Sequence, residues 1–369
     1  MTNEILINTV TAWDEPPRAR HQIAYSLSKT HKISFITRNK VGFPKVKFFN
    51  ISNNITIIEP TFPIGYKYRY RLPIINELYQ LWLYKKIKRR DSFLYCINFD
   101  FTATLIFRYF KRTIYYCNDD YIGNSNVPNL LVDQYHKICE PIVIRKSILC
   151  VATSKFLVKK LQVINPNTYY IPLGAPNLNT INVVARKAMK PKIIKVNLMY
   201  VVTRHLDYEL INYLISKSDI SVTCIGPSDP DFEGKLNKSD KLELKDILKG
   251  DQLYHEINKA DVGIAPYIID KVNKGGTPNK LWQYFALGKP VVITNLPNLS
   301  YMSFPDKLLY ISPGDSHENF YALIKTAHFE NSDLLIQERI RCANENSWEK
   351  RADEFLKITN DALNPENVK

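Results

Sequence analysis

Short apolar runs alternate along the chain with longer segments in which apolar residues recur every three or four positions. The runs predict buried strands at 5–10, 31–37, 55–59, 92–98 and 113–117, and the periodic segments predict helices such as 21–30 and 130–146. A second series starts at residue 195, with strands predicted at 195–202, 221–225, 261–266 and 291–293. Strands that alternate with helices form parallel sheets covered on both faces. The pattern therefore predicts an α/β protein with two Rossmann-like, doubly wound domains.

The segment 177–193 is polar and then basic, and it is the candidate connection between the two domains. We therefore expect an N-terminal domain at 1–176 and a C-terminal domain at 194–345. The chain has 369 residues, of which 45% are hydrophobic and 23% are charged, so it is long enough for two cores. The first strand is not followed by a G-x-G-x-x-G motif, which argues against a dinucleotide-binding domain.

Residues 275–294 carry the most informative local pattern. Two glycines at 275–276 permit a tight turn, and Thr277 and Pro278 suit the N-cap and the first position of a helix. Gly288 suits the end of that helix. The free N–H groups of a helix N-terminus favour an anion such as phosphate, and Lys280, one turn into the helix, adds a positive charge. The alternative is an ordinary helix–turn–strand unit without a ligand.

The formal net charge of +14 predicts a negatively charged partner. Residues 65–112 contain 11 Lys and Arg but only 3 Asp and Glu, and aromatic residues are interleaved with the cations. This pattern is typical of a surface that meets anionic lipid, and the alternative is a solvated charged face. The residues predicted to form this membrane patch are Tyr66, Lys67, Tyr68, Arg69, Tyr70, Arg71, Lys85, Lys86, Lys88, Arg89 and Arg90. No nucleic-acid-binding motif is present, so nucleic acid is not an expected partner.

The six cysteines are scattered without metal-site spacing, and we expect them to be reduced and buried. The chain shows neither a signal peptide nor an apolar run long enough to span a bilayer. The predicted location is therefore the cytoplasm, with peripheral attachment to the inner face of the plasma membrane.

Two adjacent carboxylates, Asp119 and Asp120, follow the strand predicted at 113–117. The carboxyl ends of parallel strands are where α/β folds place their active clefts, so either residue is a candidate catalytic base. The alternative is that they cap a helix or form a turn.

The sequence Pro278-x-Lys280-Leu281-x-Gln283-Tyr284, followed by Gly288-Lys289-Pro290-Val291-Val292, resembles the nucleotide-sugar site of GT-B glycosyltransferases. Within that superfamily it is most similar to the bacterial polysaccharide-biosynthesis type, such as the teichuronic-acid and xanthan glucuronosyltransferase-like enzymes. The resemblance implies the GT-B fold, with two domains facing a central cleft and a C-terminal helix at 346–369 that packs on the N-terminal domain.

The resemblance also implies roles for individual residues. The donor-binding candidates are Arg204, His205, Ile247, Tyr267, Gly276, Thr277, Asn279, Lys280 and Gln283. The acceptor-side candidates are Asp14, Arg18 and Arg20. In the xanthan-type relatives an Asp after the corresponding strand acts as base, and Asp119 matches it best by position, with Asp120 as the competitor.

The expected activity is transfer of a sugar from a nucleotide diphosphate sugar, by default a UDP-sugar, to a lipid-linked glycan or growing polysaccharide. No Asp-x-Asp signature stands beside the donor motif, so no metal or cofactor is expected. Gly275 and Gln283 occupy the positions of the two Glu residues of many retaining relatives, which favours inversion. The alternatives are a nucleotide-sugar epimerase of the same architecture and a non-enzymatic basic module that binds membrane or nucleic acid.

Overall fold

The computed structural model describes residues 3–88, 93–123, 129–178, 193–200, 202–269, 279–314 and 316–363. The chain divides into two compact units. Unit 1 comprises Met1–Leu173 and Trp348–Lys369, and unit 2 comprises Gly174–Ser347. Most of the candidate connection at 177–193 lies outside the described residues.

Unit 1 is built on a nine-stranded sheet. Its elements are β1 (Glu4–Asn8), α1 (Ala19–Leu27), β2 (Lys32–Ile36), β3 (Lys40–Val41), β4 (Lys45–Ser52), β5 (Ile55–Phe62), α2 (Tyr66–Arg69), α3 (Pro73–Lys88), β6 (Tyr95–Asn98), β7 (Thr113–Cys117), α4 (Leu130–Lys146), β8 (Cys150–Ala152), α5 (Lys155–Gln162) and β9 (Thr168–Tyr170). The strand order is β3-β5-β2-β1-β6-β7-β8-β9, and every pair on this path is parallel. Strand β4 is the exception, because it pairs antiparallel with β5.

Unit 2 is built on a six-stranded parallel sheet. Its elements are β10 (Ile194–Met199), α6 (Tyr208–Ser216), β11 (Ile220–Ile225), α7 (Pro230–Glu233), β12 (Leu242–Lys245), α8 (Gly250–Asn258), β13 (Val262–Ala265), α9 (Lys280–Ala286), β14 (Val291–Thr294), β15 (Leu309–Ser312), α10 (His317–Phe329) and α11 (Asp333–Glu345). The strand order is β12-β11-β10-β13-β14-β15. The chain adds strands outwards on one side of β10 and then, from β13, on the other side, so the switch point of the order lies between β10 and β13. This is the order of a doubly wound Rossmann-type sheet, so the predicted α/β class is confirmed.

The central strands of unit 1 are apolar on both faces because helices cover both sides of the sheet. Successive residues of a strand point to opposite faces. Ile5 and Ile7 therefore enter one core cluster, while Leu6 enters another that contains residues of α3. Buried apolar area contributes roughly 25 cal/mol per Å², so these continuous runs, rather than helix propensity, hold the layers together.

The last helix, α12 (Trp348–Leu363), packs on unit 1. Its Ala352 and Phe355 are buried in the same core cluster as Ile5 and Ile7, and Phe355 is fully buried. Lys29 Nζ also lies 2.9 Å from Glu349 Oε1, which joins the end of α1 to the start of α12.

Two further findings concern the cysteines and the lengths of the apolar helices. All six cysteines are buried and unpaired, as expected. Among the described residues, no helix is both long and apolar enough to cross a membrane.

Candidate functional site

Helix α9 is fixed against the sheet of unit 2 by Tyr284. The fully buried Tyr284 hydroxyl donates to the backbone oxygen of Asn197 at 2.7 Å, on strand β10. The ring lies on Gly263 of β13, where a Cβ would approach ring atoms to 2.6 Å. Glycine is therefore required at 263, because only a residue without a side chain leaves room for this ring.

The Gly-Lys-Pro turn after α9 has a structural role. Gly288 has a φ of +67°, and the Lys289 N–H bonds the carbonyl of Tyr284 at 3.0 Å, as in a helix stop closed by a left-handed residue. The Lys289 ammonium donates to the carbonyl of Asn258 at 2.9 Å. The prediction that Gly288 ends the helix is confirmed.

Two loops meet at the carboxyl edge of this sheet, where the strand order reverses. The loop after β10 carries Arg204 and His205, and the loop after β13 carries Tyr267. They are joined by a bridge between Leu206 and Tyr267 and by a bond from the Ile268 N–H to the His205 carbonyl at 3.0 Å. The structure therefore brings together donor-site candidates that are more than 60 residues apart in the sequence.

Two cations lie on these loops and on the start of α9. Lys280 Nζ lies 5.4 Å from the centroid of this ring. The exposed Arg204 donates from Nε to Nε2 of His205 at 2.9 Å. Neither Lys280 nor Arg204 forms a salt bridge with a described residue, so both charges are available for an anion.

The structure describes α9 from Lys280, which is its first residue, whereas the prediction placed Lys280 one turn into the helix. Pro278, the predicted first position, lies outside the described residues. The Asn279 carbonyl accepts from the Trp282 N–H, three residues on, at 3.2 Å, which makes the first described turn a tight one. Asn279 Oδ1 is buried without a hydrogen-bond partner among the described residues. Gly276 and Thr277 lie outside the described residues.

The remaining donor candidates, Gln283 and Ile247, make no described contact with Tyr267. Gln283 is half-buried on α9, and its side chain makes no hydrogen bond to a described residue. Ile247 is 45% exposed in the loop after β12, at the same carboxyl edge but beyond the neighbouring strand β11.

The two adjacent aspartates of unit 1 have different surroundings. Asp120 is buried and accepts from the ammonium of Lys160 at 2.8 Å and from the N–H of Gly123 at 3.0 Å. Lys160 also lies 2.6 Å from the buried carboxylate of Glu140. Burial works against the charge of Lys160, but the two carboxylates prevail and its pKa is raised. Asp119, in contrast, is exposed, and its Oδ1 atom accepts from the Asp120 N–H at 2.8 Å.

A pocket of about 470 Å³ lies at the carboxyl edge of the unit 1 sheet, lined by residues that follow β1, β2, β5, β6 and β7. Its cations are Arg18, Arg20, Arg38, Lys67 and Arg71, and its aromatic residues are Tyr66, Tyr70, Phe99, Phe101 and Tyr121. Among the described lining residues, Glu15 supplies the one carboxylate, and their formal net charge is +4. Arg18 and Arg20 were predicted on the acceptor side. Asp14 is exposed and does not line the pocket.

This pocket corrects the predicted membrane patch. Tyr66, Lys67, Tyr70 and Arg71 line the pocket rather than a flat surface. Arg69 is 2% exposed, with its Cζ atom 3.9 Å from the centroid of the Tyr79 ring and hydrogen bonds to Asn39 and Asn76. It cannot meet a membrane. Tyr68, Lys85, Lys86 and Lys88 are exposed as predicted, and Arg89 and Arg90 lie outside the described residues.

The loop that carries Arg18 is held by His21, which is 1% exposed. Its Nδ1 atom accepts from the Arg18 N–H at 3.0 Å, and its Nε2 atom lies 3.0 Å from the carbonyl of Ala12. These partners require the neutral ring with its proton on Nε2. Burial lowers the pKa of His21 to about 4, with a smaller opposing effect of the Ala12 carbonyl.

Several pocket residues were missed from the sequence. Arg38, Phe99, Phe101 and His136 line the pocket but were not candidates. A signal existed for most of them, because Arg38 follows β2 and both phenylalanines follow β6 closely. The carboxyl ends of adjacent parallel strands share one edge, so polar and aromatic residues at those positions converge.

Comparison with solved structures defines the class of fold. A sucrose-phosphate synthase from Thermosynechococcus elongatus matches with a TM-score of 0.75 at 13% identity, over 98% of this chain and 99% of that one. An alpha,alpha-trehalose-phosphate synthase (UDP-forming) from Burkholderia xenovorans, in complex with glucose-6-phosphate, matches with a TM-score of 0.70 at 11% identity, over 97% of this chain and 100% of that one. The chain therefore has the GT-B fold, as predicted.

Sequence comparison adds a more specific relative. Over 161 residues, or 42% of this chain, the sequence is 29% identical to the Bacillus subtilis (strain 168) protein named "Putative teichuronic acid biosynthesis glycosyltransferase TuaH". The alignment covers 40% of that protein, less than half of its length. No family model matches the chain. The predicted resemblance to teichuronic-acid-type GT-B glycosyltransferases is confirmed.

Proposed function

We propose that the protein is a glycosyltransferase that moves a sugar from a UDP-sugar to a lipid-linked glycan or growing surface polysaccharide. The proposal rests on the joining of the loops that carry Arg204 and Tyr267, with Lys280 beside the Tyr267 ring, at the point where the strand order of unit 2 reverses. Open parallel sheets bind their ligands in this position. The similar synthase that is UDP-forming and the teichuronic acid relative support the same activity.

The donor site supplies what departure of a nucleoside diphosphate requires. Negative charge develops on the leaving phosphate, and cations fixed in place stabilise it without reorganisation. Lys280 and Arg204 provide these cations. Tyr267, beside Lys280, offers an aromatic face to the base or ribose, and the amide of Gln283 is free to bond a ribose hydroxyl. The epimerase alternative receives no specific support from these residues.

We further propose Asp119 as the general base of an inverting reaction. Asp119 follows β7 by two residues and its carboxylate is exposed, so a bound acceptor can present its hydroxyl to it. Asp120 is less suited to this role, because its charge is already compensated by Lys160 and by a backbone N–H. We also propose that the reaction needs no metal, so turnover should be unchanged by EDTA.

A reduced membrane surface is part of the proposal. On α3, the apolar side chains of Ile74 and Leu78 are 74% and 57% exposed, and Lys85, Lys86 and Lys88 are exposed towards its end. Apolar residues followed by lysines suit the interface of an anionic bilayer, where each lysine is worth about 1 kcal/mol. This arrangement supports peripheral attachment to the inner face of the plasma membrane.

Vesicle sedimentation tests the membrane surface. Phosphatidylglycerol vesicles should bind the protein better than phosphatidylcholine vesicles. The double variant Lys85→Gln/Lys86→Gln should weaken binding about tenfold or more, since two lysines contribute about 2 kcal/mol. The control Lys45→Gln/Lys47→Gln removes two exposed lysines of β4. If the two double variants behave alike, α3 is not the membrane surface.

The donor site is tested by thermal shift with UDP, TDP, GDP, CDP and ADP in metal-free buffer. A ligand at 100 times its Kd adds about 2.7 kcal/mol of stability, so one diphosphate should raise the melting temperature clearly. UDP is the expected one. The shift should be much smaller for Lys280→Ala and unchanged for Lys238→Ala, which removes an exposed lysine elsewhere in unit 2.

Two outcomes would contradict this assignment. If none of the five nucleotides stabilises the protein, the glycine loop and helix form only a structural unit, and a charge-driven binding module becomes the better explanation. If Lys280→Ala and Lys238→Ala respond alike, the nucleotide binds elsewhere. A positive result leads directly to screening UDP-sugars for hydrolysis and transfer.

A further inference from the structure

The most unusual charge in unit 1 is that of Arg20. Its side chain lines the pocket but is 7% exposed, and its Nε atom is buried without a hydrogen-bond acceptor. No described residue forms a salt bridge with it. Its guanidinium carbon lies 5.8 Å from the centroid of the Phe99 ring, which is a weak contact for a buried cation. A buried charge is costly unless it is paired, so Arg20 is a group that lacks its partner.

The surrounding charges do not supply that partner. Glu15 is engaged by two other arginines, with Arg18 at 3.3 Å and Arg38 at 3.9 Å. The buried carboxylate of Asp100 accepts from the backbone and hydroxyl of Thr102 and forms no salt bridge with a described residue. The positive potential of the pocket is therefore left for a ligand.

The remaining walls suit a sugar ring. Phe101 and Tyr121 are stacked with their centroids 5.1 Å apart, and Tyr70 meets Phe101 edge-on at 5.5 Å. Tyr66 and Tyr70 lie side by side with centroids 5.3 Å apart. A volume of about 470 Å³ lies within the range of small-molecule sites, in which apolar walls carry a few convergent polar groups.

We infer that this pocket binds the glycosyl acceptor through an anionic substituent, a phosphate or a carboxylate on a sugar, with the buried Arg20 as the principal ligand and Arg71 at the rim. The name acceptor rests on the proposed function, whereas the anion site itself does not. An anion beside Arg20 completes a charge-assisted hydrogen bond in a partly desolvated place, where such bonds are strongest. A neutral sugar cannot do this.

Isothermal titration calorimetry on the full chain tests the inference with glucose 6-phosphate, glucuronate and glucose as probes. At least one of the two anionic sugars should bind, and glucose should bind at least about tenfold more weakly, because a hydrogen bond between charged groups contributes about 1.5–3 kcal/mol. Arg20→Gln should weaken binding of the anionic sugar about 10- to 100-fold. Arg145→Gln, at an exposed arginine of α4 outside the pocket, should leave it unchanged.

A second variant keeps the test valid if Arg20→Gln does not fold. Arg71 is exposed, so Arg71→Gln removes a pocket charge without disturbing the core, and it should also weaken binding of the anionic sugar. Equal binding of glucose and the anionic sugars, or full binding by both arginine variants, would overturn the inference. A third result would also overturn the inference: neither anionic sugar binds, but phosphatidylglycerol vesicles bind and Arg20→Gln abolishes that binding. The anion would then be a lipid headgroup.

Titration with UDP separates this inference from the proposed function. UDP should bind the wild type and all three arginine variants equally, because its site lies in unit 2. If glucose 6-phosphate binds in an Arg20-dependent manner and UDP does not bind, the anion pocket stands and the glycosyltransferase proposal fails. If UDP binds and neither anionic sugar does, the glycosyltransferase proposal stands and the anion pocket fails.

Discussion

Lowering the pH should destabilise unit 1 through His21, the buried residue that holds the pocket loop. The ring accepts from the Arg18 N–H and donates to the Ala12 carbonyl, and it packs on Phe35 with centroids 5.5 Å apart. A second proton on the ring would occupy Nδ1, the atom that accepts from Arg18. Protonation therefore breaks the contact that fixes the start of α1 and the arginine beside it.

The magnitude follows from the difference between two pKa values. The pKa of His21 is lowered from 6.5 to about 4 in the folded protein, chiefly by burial. Between these values the unfolded chain binds a proton that the folded chain does not, so stability falls as the pH falls. Each pH unit between the two pKa values corresponds to about 1.4 kcal/mol, so the free energy of unfolding should fall by about 3 kcal/mol between pH 6.5 and 4. Above pH 6.5 the residue contributes no pH dependence.

Two measurements check this prediction. The imidazole carbon-bound proton of His21, assigned by its absence in His21→Gln, should titrate near pH 4 by NMR. Urea unfolding of the wild type and of His21→Gln should give a free-energy difference that is constant above pH 6.5. Below that pH the difference should change by up to about 3 kcal/mol in favour of the variant. A midpoint near 6.5 in the NMR titration, or a difference that does not depend on pH, would refute the reasoning.

Three further predictions follow from single contacts. Asp119→Asn should slow sugar transfer, measured as UDP formed in the presence of acceptor, by about 100-fold or more, whereas Asp120→Asn should mainly lower the midpoint of urea unfolding. Equal losses of rate in the two variants would contradict the assignment. Gly263→Ala should destabilise unit 2 by about 1–3 kcal/mol, because the new Cβ would lie 2.6 Å from ring atoms of Tyr284, and an unchanged melting temperature would show that α9 shifts freely. Arg339→Met should lower the free energy of unfolding by about 3 kcal/mol or more, because this fully buried guanidinium bonds three backbone carbonyls. A loss below about 1 kcal/mol in urea unfolding would show that water replaces it.

Sequence periodicity was a sound guide to the sheets because their central strands are buried on both faces. Residues 113–117 and 130–146 were predicted with the bounds that the structure shows. The antiparallel hairpin of β4 and β5 was missed. Four of the eight residues of β4 are apolar, but the strand is mostly exposed and lacks the continuous apolar run of the central strands. Local patterns identify a strand by what it buries, and β4 buries little.

The proposed donor residues were easier to infer than the pocket of unit 1. Arg204, Tyr267 and Lys280 could be proposed because a specific motif contains Lys280. The structure places Lys280 beside the Tyr267 ring and joins the loop of Tyr267 to that of Arg204. The pocket of unit 1 has no such motif. Its residues come from several loops, and their common edge becomes apparent only when the order of β1, β2, β5, β6 and β7 is known.

The segment from Tyr66 to Arg71 shows why charge composition alone was misleading. Aromatic and basic residues alternate there, which suggests two faces, but the chain forms the short helix α2, in which neighbours on one side are three or four residues apart. Tyr66 and Tyr70 therefore turn together into the pocket, as do Lys67 and Arg71, while Arg69 turns into the core. The same positive charge that suggested a flat membrane surface is thus divided between a pocket and a buried anchor. We therefore attribute part of the basic character of this region to the proposed anionic ligand of the pocket rather than to a bilayer.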